Sequence, residues 1–161
     1  MLAGGQGTRL GCKGPKGTFE LDISPKKSLF EIFCDNLKVI YRKYGVYIPW
    51  YVMTSRGNNA DTIAFFEEHN FFDYPKEYVF FFQQHELPLI DIAGNLILEE
   101  PYKVKEASNG NGDVFASMNS SGALEDMKQR NLEWLFFAGI DNVILNVIDP
   151  LLLGLTIYHK K

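Results

Sequence analysis

Apolar stretches of strand length alternate with amphipathic stretches of helix length along this chain, and that alternation constrains its fold more than any other feature. Ser28 is followed three residues later by Glu31, a capping box, and Leu29, Phe30, Phe33, Leu37, Ile40, Tyr41 and Tyr44 then recur at helical spacing until Gly45. The pattern predicts an amphipathic helix between Ser28 and Gly45. Residues 46–53 are rich in β-branched and aromatic side chains and read as a buried strand despite Pro49. A second helix is expected over about 61–69 and a second strand over 78–82, ending at Gln83 and Gln84. Residues 89–92 and 96–98 flank Ala93-Gly94-Asn95 as a short hairpin, and 108–113 form a loop. A helix over 121–130, a strand over 134–138, and a helix over 151–158 opened by Asp149-Pro150 complete the pattern. Such a sequence predicts an α/β fold whose mostly parallel sheet is covered on both faces.

Composition fits one domain, since 161 residues with 46% hydrophobic content can bury a substantial core. With 16 basic and 20 acidic side chains the net charge is -4, which argues against a nonspecific hold on nucleic acid. An anionic small molecule is not excluded, because one pocket can be basic on an acidic protein. Cys12 and Cys34 show no CxxC spacing, which suits a reducing cytosol. The longest apolar runs, such as 149–158, are too short to span a bilayer, and the N-terminus lacks the basic-then-apolar order of a signal peptide. A cytoplasmic protein without membrane contacts is expected.

In parallel α/β sheets ligands sit beyond the carboxyl ends of the strands, and three polar clusters fall there, around Gly5, Gln83 and Asp141. The first is the most distinctive: residues 2–11 read LAGGQGTRLG, with four glycines in ten positions. Glycine lets backbone amides approach a phosphate closely and form an anion nest, and Arg9 and Lys16 add fixed positive charge. The string is neither a Walker loop nor the dinucleotide GxGxxG, so a phosphate cradle and a plain turn both remain open on spacing alone. Met1 and Leu2 run directly into the glycines, so a missing upstream segment is expected. His69, His85 and His159 lack zinc spacing, and no serine or cysteine shows a partner constellation for nucleophilic chemistry.

The motifs taken together are more specific. LAGGQGTRLG at 2–11, GPKG at 14–17, SLF at 28–30, MTS at 53–55, FFQQ at 81–84, LP at 87–88, ILEE at 97–100, GNG at 110–112, EDM at 125–127 and DN at 141–142 follow one another in order. This series resembles the UDP-sugar pyrophosphorylases, and within them the UDP-N-acetylhexosamine branch, over essentially the whole chain. GCKGPK at 11–16 has the character of the UDP-glucose branch, whereas Gln6, Arg9 and Asn111, where that branch places histidine, favour the hexosamine one. The chain departs from the hexosamine pattern at Asp113 and over 114–118.

The resemblance implies a Rossmann-like nucleotidyltransferase domain, cut short at both ends, that works with Mg²⁺ on UTP and a sugar 1-phosphate. The implied products are UDP-N-acetylglucosamine and pyrophosphate; uridylyl transfer to glucose 1-phosphate, or a non-catalytic fragment that binds UTP or a UDP-sugar, are the alternatives. By the same resemblance, Leu2, Ala3, Gly4 and Gly5 cradle the nucleotide, with Gly7 and Thr8 in the same loop. Arg9 would lie over the departing pyrophosphate and Lys16 on phosphate oxygens. Gln83 would make a two-bonded contact to the uracil edge, with Gln84 as the adjacent alternative. Gly110 would press its backbone on the base, Asn111 would reach the ribose or the sugar phosphate, and Asp141 would hold the metal. The sugar-recognition segments of such enzymes would lie beyond Lys161, so the chain alone is expected to turn over little.

Overall fold

The structure, a computed structural model, describes residues 1–11 and 14–159, without the Arg9 side chain. Its elements in chain order are β1 (Glu20–Leu21), β2 (Lys27–Ser28), α1 (Leu29–Tyr44), β3 (Trp50–Thr54), α2 (Asn59–Glu68), β4 (Val79–Gln83), β5 (Glu86–Pro88), β6 (Leu98–Glu100), β7 (Lys103–Val104), β8 (Glu106–Ser108), α3 (Val114–Ser120), α4 (Ala123–Gln129) and α5 (Pro150–His159). Short 3₁₀ turns, including Gly7–Leu10 and Lys16–Thr18, link them.

The local signals act as expected in α1. The Ser28 hydroxyl accepts the Glu31 N–H, and the helix stops where Gly45, at φ 69°, returns its N–H to Tyr41 O. Leu29, Phe30, Cys34, Leu37 and Ile40 form its buried stripe. At the other end of the chain, Asp149 Oδ1 accepts the N–H groups of Leu151 and Leu152 and opens α5. Among the described residues no helix is long and apolar enough to cross a membrane.

β3 pairs in parallel with β4 from Trp50↔Val79 to Thr54↔Gln83, and every residue of β3 is buried. On its other side runs the first turn of the chain: Ala3 N donates to Met53 O and Met53 N to Met1 O. Leu2 also bridges in parallel to Gly139, through Leu2 N to Ala138 O and Ile140 N to Leu2 O. Four parallel segments thus lie side by side in the order 138–140, 1–3, β3, β4.

Alternation within β3 serves two cores. Trp50 and Val52 join Phe30, Leu37 and Phe66 on the α1–α2 face, while Tyr51 and Met53 meet Phe82, Val114, Met118 and Met127 on the α3–α4 face. A sheet covered on both faces follows, as the sequence pattern predicts.

Four expectations need correction. The strand expected over 46–53 begins only at Trp50, after Pro49, whose missing N–H cannot feed a ladder. Residues 134–137 form no strand, and Trp134, Leu135, Phe136 and Phe137 stay 38–43% exposed. The helix expected over 121–130 is shorter, because Gly122 at φ 83° separates α4 from an additional helix, α3. The hairpin expected around Ala93-Gly94-Asn95 is present as an Ile90–Leu96 bridge, but the longer arm also pairs β6 with β7 and β5 with β8.

Candidate functional site

The glycine loop leaves the sheet at Ala3, and the fold holds it from two sides. Asn58, fully buried at the start of α2, donates its amide to Ala3 O at 3.0 Å and Gly5 O at 3.3 Å, while its own oxygen accepts Ser55 N–H. Gln6 adds a bond to Gly57 O. From the other side, Lys16 N donates to Gly5 O, Gly7 N to Gly14 O, and Gln6 bridges Pro15. The loop therefore folds back on the segment that carries Lys16.

Gly4 and Gly5 each lie against another residue of the site. A Cβ on Gly4 would lie 2.4 Å from Gln84 Nε2, so the glutamine amide occupies the space beside the loop. A Cβ on Gly5 would touch Lys16 Cε at 3.6 Å, which places the lysine side chain along the same backbone. Among the described residues, the N–H groups of Gly4 and Gly5 have no protein acceptor. Gly7 differs, since its N–H is already committed to Gly14 O. Thr8 sits exposed in the following 3₁₀ turn. The Arg9 side chain, assigned to the pyrophosphate, lies outside the described residues.

Lys16 and Asp141 converge. Lys16 Nζ stands 3.2 Å from Asp141 Oδ2, with the lysine side chain 24% exposed and the aspartate 64%. Asp141 follows the 138–140 segment that pairs with Leu2, so the carboxylate reaches the loop from the neighbouring sheet position. The cation assigned to phosphate and the carboxylate assigned to metal are thus side by side. An exposed single carboxylate of this kind fits Mg²⁺, which keeps several waters and takes its other oxygens from phosphates.

In the second cluster the two adjacent glutamines differ in their surroundings. Gln83, paired with Thr54 at the end of β4, is exposed, whereas Gln84 is buried, lies against Gly4 and donates to Ser108 Oγ at 2.7 Å. The geometry therefore joins Gln84 to the glycine loop and to the 108–110 turn. Gly110 adopts φ 86° with open space on its Cβ side, so a flat group can approach its backbone. Asn111, next to it, is exposed.

Asp113 fixes this turn. Its buried carboxylate accepts Asn109 Nδ2 at 3.0 Å, His85 N at 2.8 Å, the His85 ring and the Ser117 hydroxyl. These bonds, the Ser117 hydroxyl foremost, hold the carboxyl far below the usual carboxylate range against the opposing effect of burial. The turn bearing Gly110 is so tied to the residue that follows Gln84. Asn58 and Asp113 are the positioning residues that sequence reading missed; neither stands in a spacing pattern, and both act through contacts more than 25 residues away in sequence.

Comparison with known proteins adds a second line. A family model described as UTP–glucose-1-phosphate uridylyltransferase matches residues 1–161. The chain is 36% identical to the UDP-N-acetylglucosamine pyrophosphorylase of Saccharomyces cerevisiae, over 99% of this chain and 34% of the yeast protein. It is 38% identical to UDP-N-acetylglucosamine diphosphorylase 2 of Arabidopsis thaliana, over 96% of this chain and 33% of that protein. The crystal structure of the uridine diphosphate N-acetylglucosamine pyrophosphorylase from Trypanosoma brucei in complex with inhibitor superposes with a TM-score of 0.89 and 33% identity, covering 99% of this chain and 34% of that one. The chain spans about a third of the length of each.

Proposed function

We infer the function from the premise that this chain belongs to the UTP–glucose-1-phosphate uridylyltransferase family. We propose that it is the nucleotide-holding part of an enzyme that joins UTP and N-acetylglucosamine 1-phosphate into UDP-N-acetylglucosamine and pyrophosphate in the cytoplasm. The observation that carries the reading is the convergence of the Gly4 and Gly5 backbone, Lys16 and Asp141 at one end of the parallel sheet.

The reaction is in-line displacement at the α-phosphorus, with the sugar phosphate oxygen attacking and pyrophosphate leaving. For such a step a protein mainly positions groups and neutralises charge. The Gly4 and Gly5 N–H groups donate to phosphate oxygens, and Lys16, lying along Gly5, places its ammonium on the extra negative charge of the transition state. Arg9 belongs by its place in the loop to the leaving pyrophosphate. Gln84 offers a donor and an acceptor to the uracil edge, taking the place first assigned to Gln83, and Gly110 supports the face of the base. Asn111 reaches the ribose or the sugar phosphate. Asp141 would hold Mg²⁺, whose charge, when bound, screens the phosphates from the incoming anionic nucleophile.

The sugar is read by length that the relatives have and this chain does not span. N-acetylglucosamine is preferred over glucose because the relatives carrying that name match at 36–38% identity over nearly the whole chain. Pyrophosphate release with UTP, Mg²⁺ and either sugar phosphate tests the proposal, comparing residues 1–161 with a protein carrying the full length of the relatives. The longer protein is expected to prefer N-acetylglucosamine 1-phosphate and the shorter one to release little. A preference for glucose 1-phosphate would replace the reading with its alternative.

A further inference from the structure

Ser120, His85 and Asp113 form a hydrogen-bonded line, of which only the Asp113 end serves to hold the Gly110 turn. Ser120 Oγ lies 2.9 Å from His85 Nε2, and His85 Nδ1 lies 3.2 Å from Asp113 Oδ1. The sequence alone shows no partner for any serine, because His85 follows β4 while Asp113 precedes α3 and Ser120 is its last residue. Asp113, Ser117 and Ser120 fall at i, i+4 and i+7, one face of a helical stretch, and that face meets His85.

Each member has the setting its role requires. Asp113 is buried and accepts the Asn109 amide, the Ser117 hydroxyl and the His85 backbone N–H, which leaves it fixed and ionised. A carboxylate on Nδ1 selects the tautomer with the proton there, so the Nε2 lone pair faces Ser120. The His85 side chain is 46% exposed and Ser120 is exposed, so an electrophile can reach the hydroxyl. The other contact of Ser120, to Ser117 O, is longer at 3.3 Å.

We propose that Ser120 is an activated nucleophile, a covalent modification site for activated acyl esters and fluorophosphonates, with His85 as its base and Asp113 as the group that orients the base. The step is an acyl or phosphonyl transfer to Oγ. With an ester, the Oγ–C bond forms, the C–O bond to the leaving group breaks, and the Oγ proton passes to His85 Nε2 and on to the departing oxygen. With a fluorophosphonate, the Oγ–P bond forms as fluoride leaves. The site shares Asp113 with the turn that bears Gly110, but the reactivity of Ser120 does not depend on the uridylyltransferase reading.

A biotinylated fluorophosphonate incubated with the purified, folded chain tests the proposal, with the labelled serine located by peptide mass spectrometry. Label on Ser120 is expected, lost in Ser120→Ala and unchanged in Ser121→Ala. His85→Gln keeps hydrogen-bonding groups toward Asp113 and Ser120 but cannot take the proton, so the labelling rate should fall roughly 100-fold or more. Circular dichroism of each variant confirms that the fold persists, and Ser120→Ala, altered at an exposed position, serves as the comparison if His85→Gln unfolds. Labelling of Ser120 no faster than that of the heat-denatured chain, labelling confined to another serine, or equal rates in folded His85→Gln and the unaltered chain would each overturn it.

Discussion

Lys16 Nζ and Asp141 Oδ2 meet at 3.2 Å from positions 125 residues apart, where the glycine loop and the neighbouring parallel segment end together. Asp141 is 64% exposed, and exposed ion pairs contribute about 0–1 kcal/mol, so the pairing does little for the fold. We expect Asp141→Asn to change unfolding free energy by no more than about 0.5 kcal/mol. The same substitution should remove most of the tightening that Mg²⁺ brings to UTP binding. Chemical denaturation beside UTP titrations with and without Mg²⁺ checks both. An unchanged metal effect would take Asp141 out of the metal site.

For the polypeptide of residues 1–161 with a free amine at Met1, stability depends on pH. Met1 N donates to Tyr51 O at 2.7 Å from a buried position, and burial lowers its pKa from 8.0 to about 5. The unfolded chain therefore binds a proton between pH 8 and 5 that the folded chain refuses. Its contribution to stability is fully present above pH 8 and is lost as pH falls to about 5, a difference of roughly 4 kcal/mol. Urea unfolding of the free-amine chain between pH 5 and 8 should show this rise, and the Nα-acetylated chain should show a flatter profile. Equal profiles would contradict the assignment.

What could be read from the sequence divides by the range of the interactions involved. α1 and α5 carry their own start signals in Ser28 and Asp149, and β3 and β4 carry dense apolar runs, so local chemistry announces them. Residues 134–137 have the same β chemistry but pair with no strand among the described residues, and a strand exists only as half of a pair. α3 was hidden because its buried set, Val114, Ser117 and Met118, includes a serine whose burial depends on Asp113 and His85. At the site, motif and charge singled out the loop, Lys16 and Asp141, and the fold brings these three together. The choice between Gln83 and Gln84 was not, because the two letters are identical and only the contact with Gly4 separates them.

Gly17 and Gly5 should respond oppositely to alanine. A Cβ on Gly17 would fall 2.1 Å from the Phe30 ring, which is itself fully buried against Phe66 and Trp50. Gly17→Ala is expected to cost about 1–3 kcal/mol through overpacking. Gly5→Ala meets only the Lys16 side chain, 3.6 Å from Cε and 3.8 Å from Nζ, and should leave stability near its original value. Its methyl group would instead stand where phosphate approaches the loop, so UTP binding should weaken. Melting temperature and UTP titration of both variants separate the structural glycine from the binding one, and a stable Gly17→Ala would contradict the packing described.

The central claim is that the site formed by Gly4, Gly5, Lys16 and Gln84 holds a uridine nucleotide. Titration calorimetry with UTP, ATP and GTP in the presence of Mg²⁺ tests it most directly, on the unaltered chain, Gln84→Ala and Gln83→Ala. The unaltered chain should prefer UTP. Gln84→Ala should erode that preference by about 1–3 kcal/mol while leaving ATP and GTP nearly unchanged, because only the contact to the base edge is lost. Gln83→Ala should change none of the three. Equal binding of all three nucleotides by the unaltered chain, or equal losses for all three in Gln84→Ala, would contradict the account.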